Sequence, residues 1–478
     1  MINATTRVSK SADEFAAADL GDERRSQRLQ MIAGLLEREP AKSFPRAMGT
    51  DAALEALYRF INNKGFSAAD IVAPHCAASL NRARRAQTVL AVHDSSHIEY
   101  GAKRSDLGPT TGKNHFGYVA HVVLLVDEQE GLPLGVGHIE TLKRTGKKWH
   151  KRKKEGQRTH VHSGDKTRES LRWIRGIEAI EHARDDEFEV VHVTDAEGDF
   201  FELLACLVKT NARFVIRAGQ LDRVVLNGGK PQNLREVADG IVPTAWRDVE
   251  LTERRHPKGT NIAKRRRHPE RSARRAKLAI GMARIALTKT RYSDVQAEPF
   301  AVSVVRVWEP NPRRGEPAVE WILLTTEDCS SPNALKRIVD IYRKRWIIEE
   351  YFKALKSGCA LQQRQVESYA ALCKVLALFV PIAYRLLLLR GLERLDARVS
   401  ATRVFGHADL HLMVHAPSNR GLPAPKTLAD AMIHLARLGG HIRNNGRPGW
   451  QTLAWGYEKL LTMRLGWELA LAQKCDQS

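Results

Sequence analysis

Apolar positions recur at helical spacing over 13–20 and 24–39, and Thr50, Leu54, Leu57 and Phe60 mark a third helix. Residues 1–75 therefore read as helical. The pattern then changes to apolar runs of strand length at 87–94, 117–126 and 132–140, followed by a helix over 166–183 and another run at 189–195. More strand-like runs follow at 214–217, 278–287, 300–307 and 319–325, so 213–325 reads as mostly β. Helical periodicity returns at 332–397. After a loop-rich stretch containing Pro417, Pro423 and Pro425, it resumes at 427–438 and 450–471. The fold class is α/β, with helical segments at both ends.

Two of the apolar runs end on an acid. Val89-Leu90-Ala91-Val92-His93-Asp94 and Val190-Val191-His192-Val193-Thr194-Asp195 read as buried strands with a carboxylate at the C-terminal end, where open α/β sheets present ligands. A third acid lies in the stretch 340–356, read as one helix. There Tyr342, Arg345, Glu349, Lys353 and Lys356 step by three or four residues and share a face. Two strand-end aspartates and a helix glutamate make a candidate divalent-metal site. Hard oxygen donors suit Mg²⁺ or Mn²⁺, and the neighbouring cations suit phosphates. The same helix pattern also fits a solvated, salt-bridged surface. His93, Asp94 and His97 form a His-Asp-x-x-His string, but no downstream histidine cluster completes a zinc set. Asp199 with Glu202 reads as a capping-box start to the next helix.

Charge narrows the partner. The 478 residues hold 76 Lys+Arg against 55 Asp+Glu, a net charge of +21. Such an excess favours a polyanion. The basic residues concentrate in 143–158 and 254–277, and Arg24, Arg25 and Arg28 form a strip on an N-terminal helix, so nucleic acid is a better partner than a membrane. The apolar stretch 369–389 is interrupted by Lys374, Pro381 and Arg385 and reads as a buried helix, not a span. The six cysteines are scattered without a Cys-x-x-Cys pair and the first twenty residues do not read as a signal peptide, which fits a reducing cytoplasm.

The order Asp94, Asp195, Glu349 resembles the DDE transposases. Tyr342-x-x-Arg345-x-x-x-Glu349-x-x-x-x-x-x-Lys356 matches the Tyr-Arg-Glu-Lys signature of their insertion-sequence-four family at full spacing. Asp195-Ala196-Glu197-Gly198-Asp199 is similar to that family's Asp-Arg-Glu-Ala-Asp box, with Ala196 where Arg is usual. Shorter matches run through most of the chain: Leu20-Gly21-Asp22-x-Arg24-Arg25, Tyr58-Arg59-Phe60-Ile61, Trp321-Ile322-Leu323-Leu324-Thr325 and Ala436-Arg437-Leu438-Gly439-Gly440.

The resemblance implies an RNase H-like catalytic core over 76–397 with a β-rich insertion at about 213–325. It also implies a DNA-end-binding domain over 1–75 and a dimerising helical domain over 398–478. It implies a cut-and-paste reaction that nicks at a transposon end, forms and reopens a hairpin, and joins the ends to target DNA, with Asp94, Asp195 and Glu349 holding Mg²⁺ or Mn²⁺. Tyr342, Arg345, Lys353 and Lys356 would contact DNA phosphates, Trp321 and Trp346 a flipped base, and Arg217 and the Arg24–Arg25–Arg28 strip further DNA. The double-stranded substrate would be held by a homodimer in the bacterial cytoplasm, at the nucleoid. Two alternatives share these features: an RNase H-like endonuclease that does not join, and a transposase-derived DNA-binding inhibitor.

Overall fold

The computed structural model describes residues 11–475 apart from 102–105, 111–114, 145–167, 185, 252, 257–261, 263, 264, 266–268, 290–292, 294, 296, 394–398 and 443–447. Four helices open the chain: α1 (Glu23–Arg38), α2 (Phe44–Met48), α3 (Asp51–Asn62) and α4 (Ala68–Ala83). Their starts are written in the sequence. The Asp22 side chain accepts from the Arg24 amide, Thr50 from Ala53, and Ser67 with Asp70 forms a reciprocal capping box. Helix α4 runs straight through the boundary expected at residue 75.

Three long antiparallel strands follow, β1 (Thr88–Glu99), β3 (Phe116–Asp127) and β4 (Pro133–Leu142), with a short β2 (Gly108–Pro109) at the edge. Helix α5 (Leu171–Arg184) leads to β5 (Glu189–Thr194), parallel to β1, and α6 (Phe201–Lys209) leads to β6 (Arg213–Arg217), parallel to β5. The chain then makes β7 (Val224–Asn227), β8 (Lys230–Asn233), α7 (Leu234–Asp239), β9 (Ala245–Leu251), β10 (Arg274–Leu287) and β11 (Phe300–Trp308), and returns as β12 (Glu320–Thr325) against β6. The order is β2-β3-β1-β5-β6-β12-β11-β10-β7-β8, with β4 on β3 and β9 on β10. The strands of 213–325 therefore extend one twelve-stranded sheet and do not form a separate β body.

Among the described residues six helices follow: α8 (Pro332–Lys344), α9 (Ile347–Lys353), α10 (Tyr369–Glu393), α11 (His407–His415), α12 (Leu428–Leu438) and α13 (Trp450–Cys475). Helix α10 is long and apolar enough to cross a membrane, yet it is buried inside the protein. The two cations that interrupt its apolar run are answered there: Lys374 donates to the Asn63 carbonyl and Arg385 pairs with Glu37 of α1. One apolar core joins Leu29 and Leu36 of α1, Val92, Val122 and Val193 of the sheet, Phe379 of α10 and Leu435 of α12. A second core on the opposite sheet face joins Trp173 and Ile177 of α5 with Phe214, Ile216 and Leu324.

The stretch 340–356 is not one regular helix. Between α8 and α9 the amides of Arg345, Ile348 and Glu349 bond carbonyls three residues back, which tightens the turn. After α9 the turn widens to a π-helical segment, Ala354–Gly358. Such irregularities re-aim side chains, so an even three-and-four spacing overstates how many residues share a face.

Candidate active site

The register of the sheet sets two of the acids side by side. Strands β1 and β5 pair in parallel with Thr88 opposite Glu189 and Val92 opposite Val193, an offset of 101 residues. Asp94 and Asp195 differ by the same 101, so the register carried two residues past its last pair sets them at the same step. Asp94 is not at a strand end as expected: β1 continues to Glu99, with Asp94 opposite Val122 of β3. Asp195 does stand at the end of its strand, where its carboxylate accepts from the Glu197 amide at 2.9 Å and opens a short 3-10 turn.

Glu349 comes from α9. Arg345, just ahead of it, spans two of the acids: its Nη2 donates to Glu349 Oε1 at 2.7 Å and its Nη1 reaches Asp94 Oδ2 at 3.4 Å. Burial, with Asp195 and Glu349 alongside, raises the Asp94 carboxyl to about 7, while Arg345 and the Ser95 amide pull the other way. The three acids thus share one electrostatic neighbourhood. Among the described residues no three His, Cys, Asp or Glu side chains form a finished metal cluster. Arg345 stands between Asp94 and Glu349 and supplies the positive charge there. The donor set itself, three carboxylates with one reluctant to ionise, fits a hard divalent ion.

Tyr342, Trp321 and Arg217 join this group. Tyr342 is buried and its ring centroid lies 5.8 Å from that of Trp321. Burial raises the Tyr342 hydroxyl's pKa, with Arg345 and Arg217 acting against the shift and Asp195 reinforcing it. Arg217 is placed by β6, opposite Leu323 and two residues from Trp321 along β12. Lys356, carried by the π-helical turn, is depressed by burial while Glu99 and Asp94 support its charge.

Lys353, expected on this face, and Trp346, expected at a flipped base, make other contacts. Lys353 binds Glu350 at 2.7 Å, and Glu350 also meets Arg390 of α10 at 3.2 Å. Trp346 is 56% exposed and lines a separate cleft of about 340 Å³ with Lys344, Ile347, Glu350, Leu387 and Arg390. The Arg345 guanidinium, which bridges two of the acids, also lies over the Trp346 ring, 5.9 Å from its centroid. Asp199 is not a cap: the N-cap of α6 is Phe200, which makes no side-chain cap bond, and buried Asp199 accepts from the Gly219 and Gln220 amides and pairs with Arg223 at 2.5 Å.

Of the N-terminal strip, Arg24 is exposed beside Asp22, Arg25 donates to the Leu20 carbonyl at 3.1 Å, and Arg28 lies beside Met31. No hydrogen bond or ion pair among the described residues links them to the acids. The basic loop at 143–158 lies outside the described residues except for Lys143 and Arg144, which are paired with Asp106 and Glu169. In 254–277, Arg255, Arg274 and Arg275 are each held by acids and Lys277 lies over the exposed Trp246 ring, while Lys258, Lys264, Arg266 and Arg267 lie outside the described residues.

Sequence reasoning assigned Arg345 to phosphate and missed that it holds two carboxylates. Its i,i+4 spacing to Glu349 was the available signal. Two family models match this chain: a transposase DNA-binding domain over residues 9–65 and a transposase DDE domain over residues 193–379. Glu349 and Asp195 fall inside the second match; Asp94 precedes it.

Proposed function

We propose that Asp94, Asp195 and Glu349 are the catalytic acids of this chain, a DNA transposase that cleaves and joins DNA with the help of divalent metal ions. The carrying observation is the Arg345 bridge from Asp94 to Glu349, with Asp195 one strand away at the same step. Mg²⁺ is the proposed ion, with Mn²⁺ accepted. Bound by these carboxylates, such ions would activate the attacking oxygen and stabilise the leaving one. Arg345, beside the acids, would offer its planar, forked donors to a DNA phosphate. Tyr342, Arg217 and Lys356 line the same site and offer further phosphate contacts.

The finer reading is an RNase H-like core within the insertion-sequence-four family. It is supported by the strand order β4-β3-β1-β5-β6, three antiparallel strands and two parallel ones, and by the Tyr342–Lys356 spacing. The proposed reaction is nicking at a transposon end, hairpin formation and reopening, and strand transfer to target DNA. The residue 9–65 domain would read the transposon end, a homodimer would pair two ends, and the work would take place at the bacterial nucleoid in the cytoplasm.

Oligonucleotide ends incubated with Mg²⁺ test this. Cleaved and joined products are expected. Cleavage without joining would make the protein an endonuclease, and DNA binding without cleavage an inhibitor.

Trp321 is proposed to hold a flipped base during hairpin formation. Unstacking a base costs a few kcal/mol and an aromatic platform returns about 1–3 kcal/mol. Trp321→Ala is therefore expected to slow hairpin formation about 10-fold or more and to leave first-strand nicking less affected, with an abasic substrate relieving the defect. Equal slowing of both steps, with no relief, would leave Trp321 only as the packing partner of Tyr342.

A further inference from the structure

Side chains of β1 alternate across the sheet. Asp94 has the parity of Leu90 and Val92, which face the core shared with α9 and α10; His93 and Ser95 have the parity of Val89 and Ala91, which pack with Ile180 of α5. Backbone pairing between β1 and β5 is complete only to Val92 and Val193, two residues short of the acids. Something other than the sheet ladder must hold Asp94 against Asp195.

Helix α5 supplies a strap at that point. Arg172 is buried on α5, and its Nε donates to Ser95 Oγ at 2.8 Å. Its Nη2 donates to Glu197 Oε2 at 3.3 Å, and the Glu197 amide donates to Asp195 Oδ1 at 2.9 Å. One guanidinium thus links the residue after the first aspartate to the turn that carries the second. Its Nη1 is held by the Glu169 carbonyl at 2.7 Å, which fixes the plane of the fork.

The far end of α5 is fastened in the same way. Glu181 Oε1 meets His192 Nε2 at 2.9 Å, and His192 Nδ1 meets His93 Nε2 at 2.8 Å. With the carboxylate accepting from His192 Nε2–H, His192 Nδ1 accepts from His93 Nε2–H when both rings are neutral. His121 Nδ1 meets Ser95 Oγ at 2.9 Å, so the two lines enclose His93 and Ser95, the neighbours of Asp94. The helix comes this close because of Gly176: a Cβ there would lie 3.2 Å from both His93 Nδ1 and His121 Nε2.

We propose that Arg172 is a positioning residue which, through Ser95 and Glu197, sets the spacing of Asp94 and Asp195 for metal binding, with the Glu181–His192–His93 line anchoring the same helix. This rests on the reading of the two aspartates as metal ligands. Hydrogen bonds behind metal ligands are typically worth about 10–100-fold in metal affinity or activity.

The test uses the full chain and Mn²⁺ as the probe, with binding read by electron paramagnetic resonance of free Mn²⁺ beside thermal unfolding, DNA-end affinity and cleavage. Arg172→Gln and Ser95→Ala are expected to weaken Mn²⁺ binding about 10–100-fold at unchanged DNA-end affinity, and excess Mn²⁺ should restore much of the cleavage. Arg172→Lys, which keeps the charge and loses the fork, should fall between. Glu178→Ala, on the exposed face of the same helix, should bind Mn²⁺ like the parent. If Arg172→Gln does not fold, Ser95→Ala, which removes only a hydroxyl, decides. Mn²⁺ affinity equal to the parent's in folded Ser95→Ala overturns the strap. So does a loss that merely follows a lowered unfolding temperature. Parent protein that binds no Mn²⁺, or binds it equally well as Asp94→Asn, overturns the metal-ligand reading beneath it.

Discussion

Asp94→Asn is expected to abolish DNA cleavage and at the same time to stabilise the metal-free protein at alkaline pH. The catalytic loss follows from removing a carboxylate from an ion-binding set. Charge stabilisation of several kcal/mol at the transition state corresponds to ~10³-fold or more in rate. The gain in stability follows from the cost of ionising this carboxyl in the fold. Burial and two acid neighbours hold it at about 7, against about 3.9 in an unfolded chain. The folded state therefore keeps a proton that the unfolded state gives up. The penalty is absent below about pH 4, grows between the unfolded and folded values, and is complete above about pH 7. Its ceiling is on the order of 4 kcal/mol at 1.36 kcal/mol per unit. Asparagine carries no charge and escapes it, yet its amide oxygen can still accept from the Ser95 amide.

Thermal unfolding at pH 8 without metal should thus place Asp94→Asn above the parent, and at pH 4 the two should coincide. Saturating Mg²⁺ should raise the parent and leave the variant nearly unmoved, because ligand binding to the native state stabilises by mass action. A variant less stable than the parent at pH 8 would make Asp94 a structural carboxylate.

How much of this was legible in the sequence depends on range. Period and length located the strands well: the runs at 117–126 and 132–140 became β3 and β4 with ends moved by one or two residues. They did not reveal that β1 runs on past Asp94 to Glu99, because the polar half of that strand, Asp94-Ser95-Ser96-His97, breaks the apolar run while β3 still pairs with it. Residue order alone flagged the three acids. What unites Asp94 with Asp195 is the offset of 101 between β1 and β5, a pairing register that no local pattern encodes. The stretch 340–356 failed differently. Helical spacing puts Lys353 within reach of both Glu349 and Glu350 and does not say that it pairs with Glu350, and nothing in the pattern shows the π turn that carries Lys356, whose charge Asp94 supports. Arg172 was invisible for the same reason as the register: its partners, Ser95 and Glu197, lie 77 and 25 residues away.

The division into three domains raises the largest stability question. Glu37→Ala is expected to destabilise the protein by about 3–5 kcal/mol, the usual result of stripping one partner from a buried ion pair. Glu37 and Arg385 have side chains only 4% and 2% exposed and pair directly. The Glu37 carboxylate also accepts from the Ser11 amide at 2.9 Å and from the Tyr457 hydroxyl at 3.5 Å. Four distant segments meet there: the N-terminal stretch, α1, α10 and α13. Glu37 lies in the span matched to a transposase DNA-binding domain, whereas Arg385 lies just beyond the span matched to the DDE domain. Removing the acid leaves a guanidinium in an apolar interior with Nε and Nη2 already lacking hydrogen-bond partners. The double variant Glu37→Ala, Arg385→Met should recover a good part of the loss, because it removes the uncompensated charge. Urea unfolding followed by both DNA-end binding and core fluorescence gives the discriminating measurement. If the continuous core couples these segments, Glu37→Ala moves both signals together to lower urea. Should DNA-end binding melt first while the core signal keeps its parent midpoint, the N-terminal helices are an independent domain and the Glu37–Arg385 pair is only a contact between two bodies.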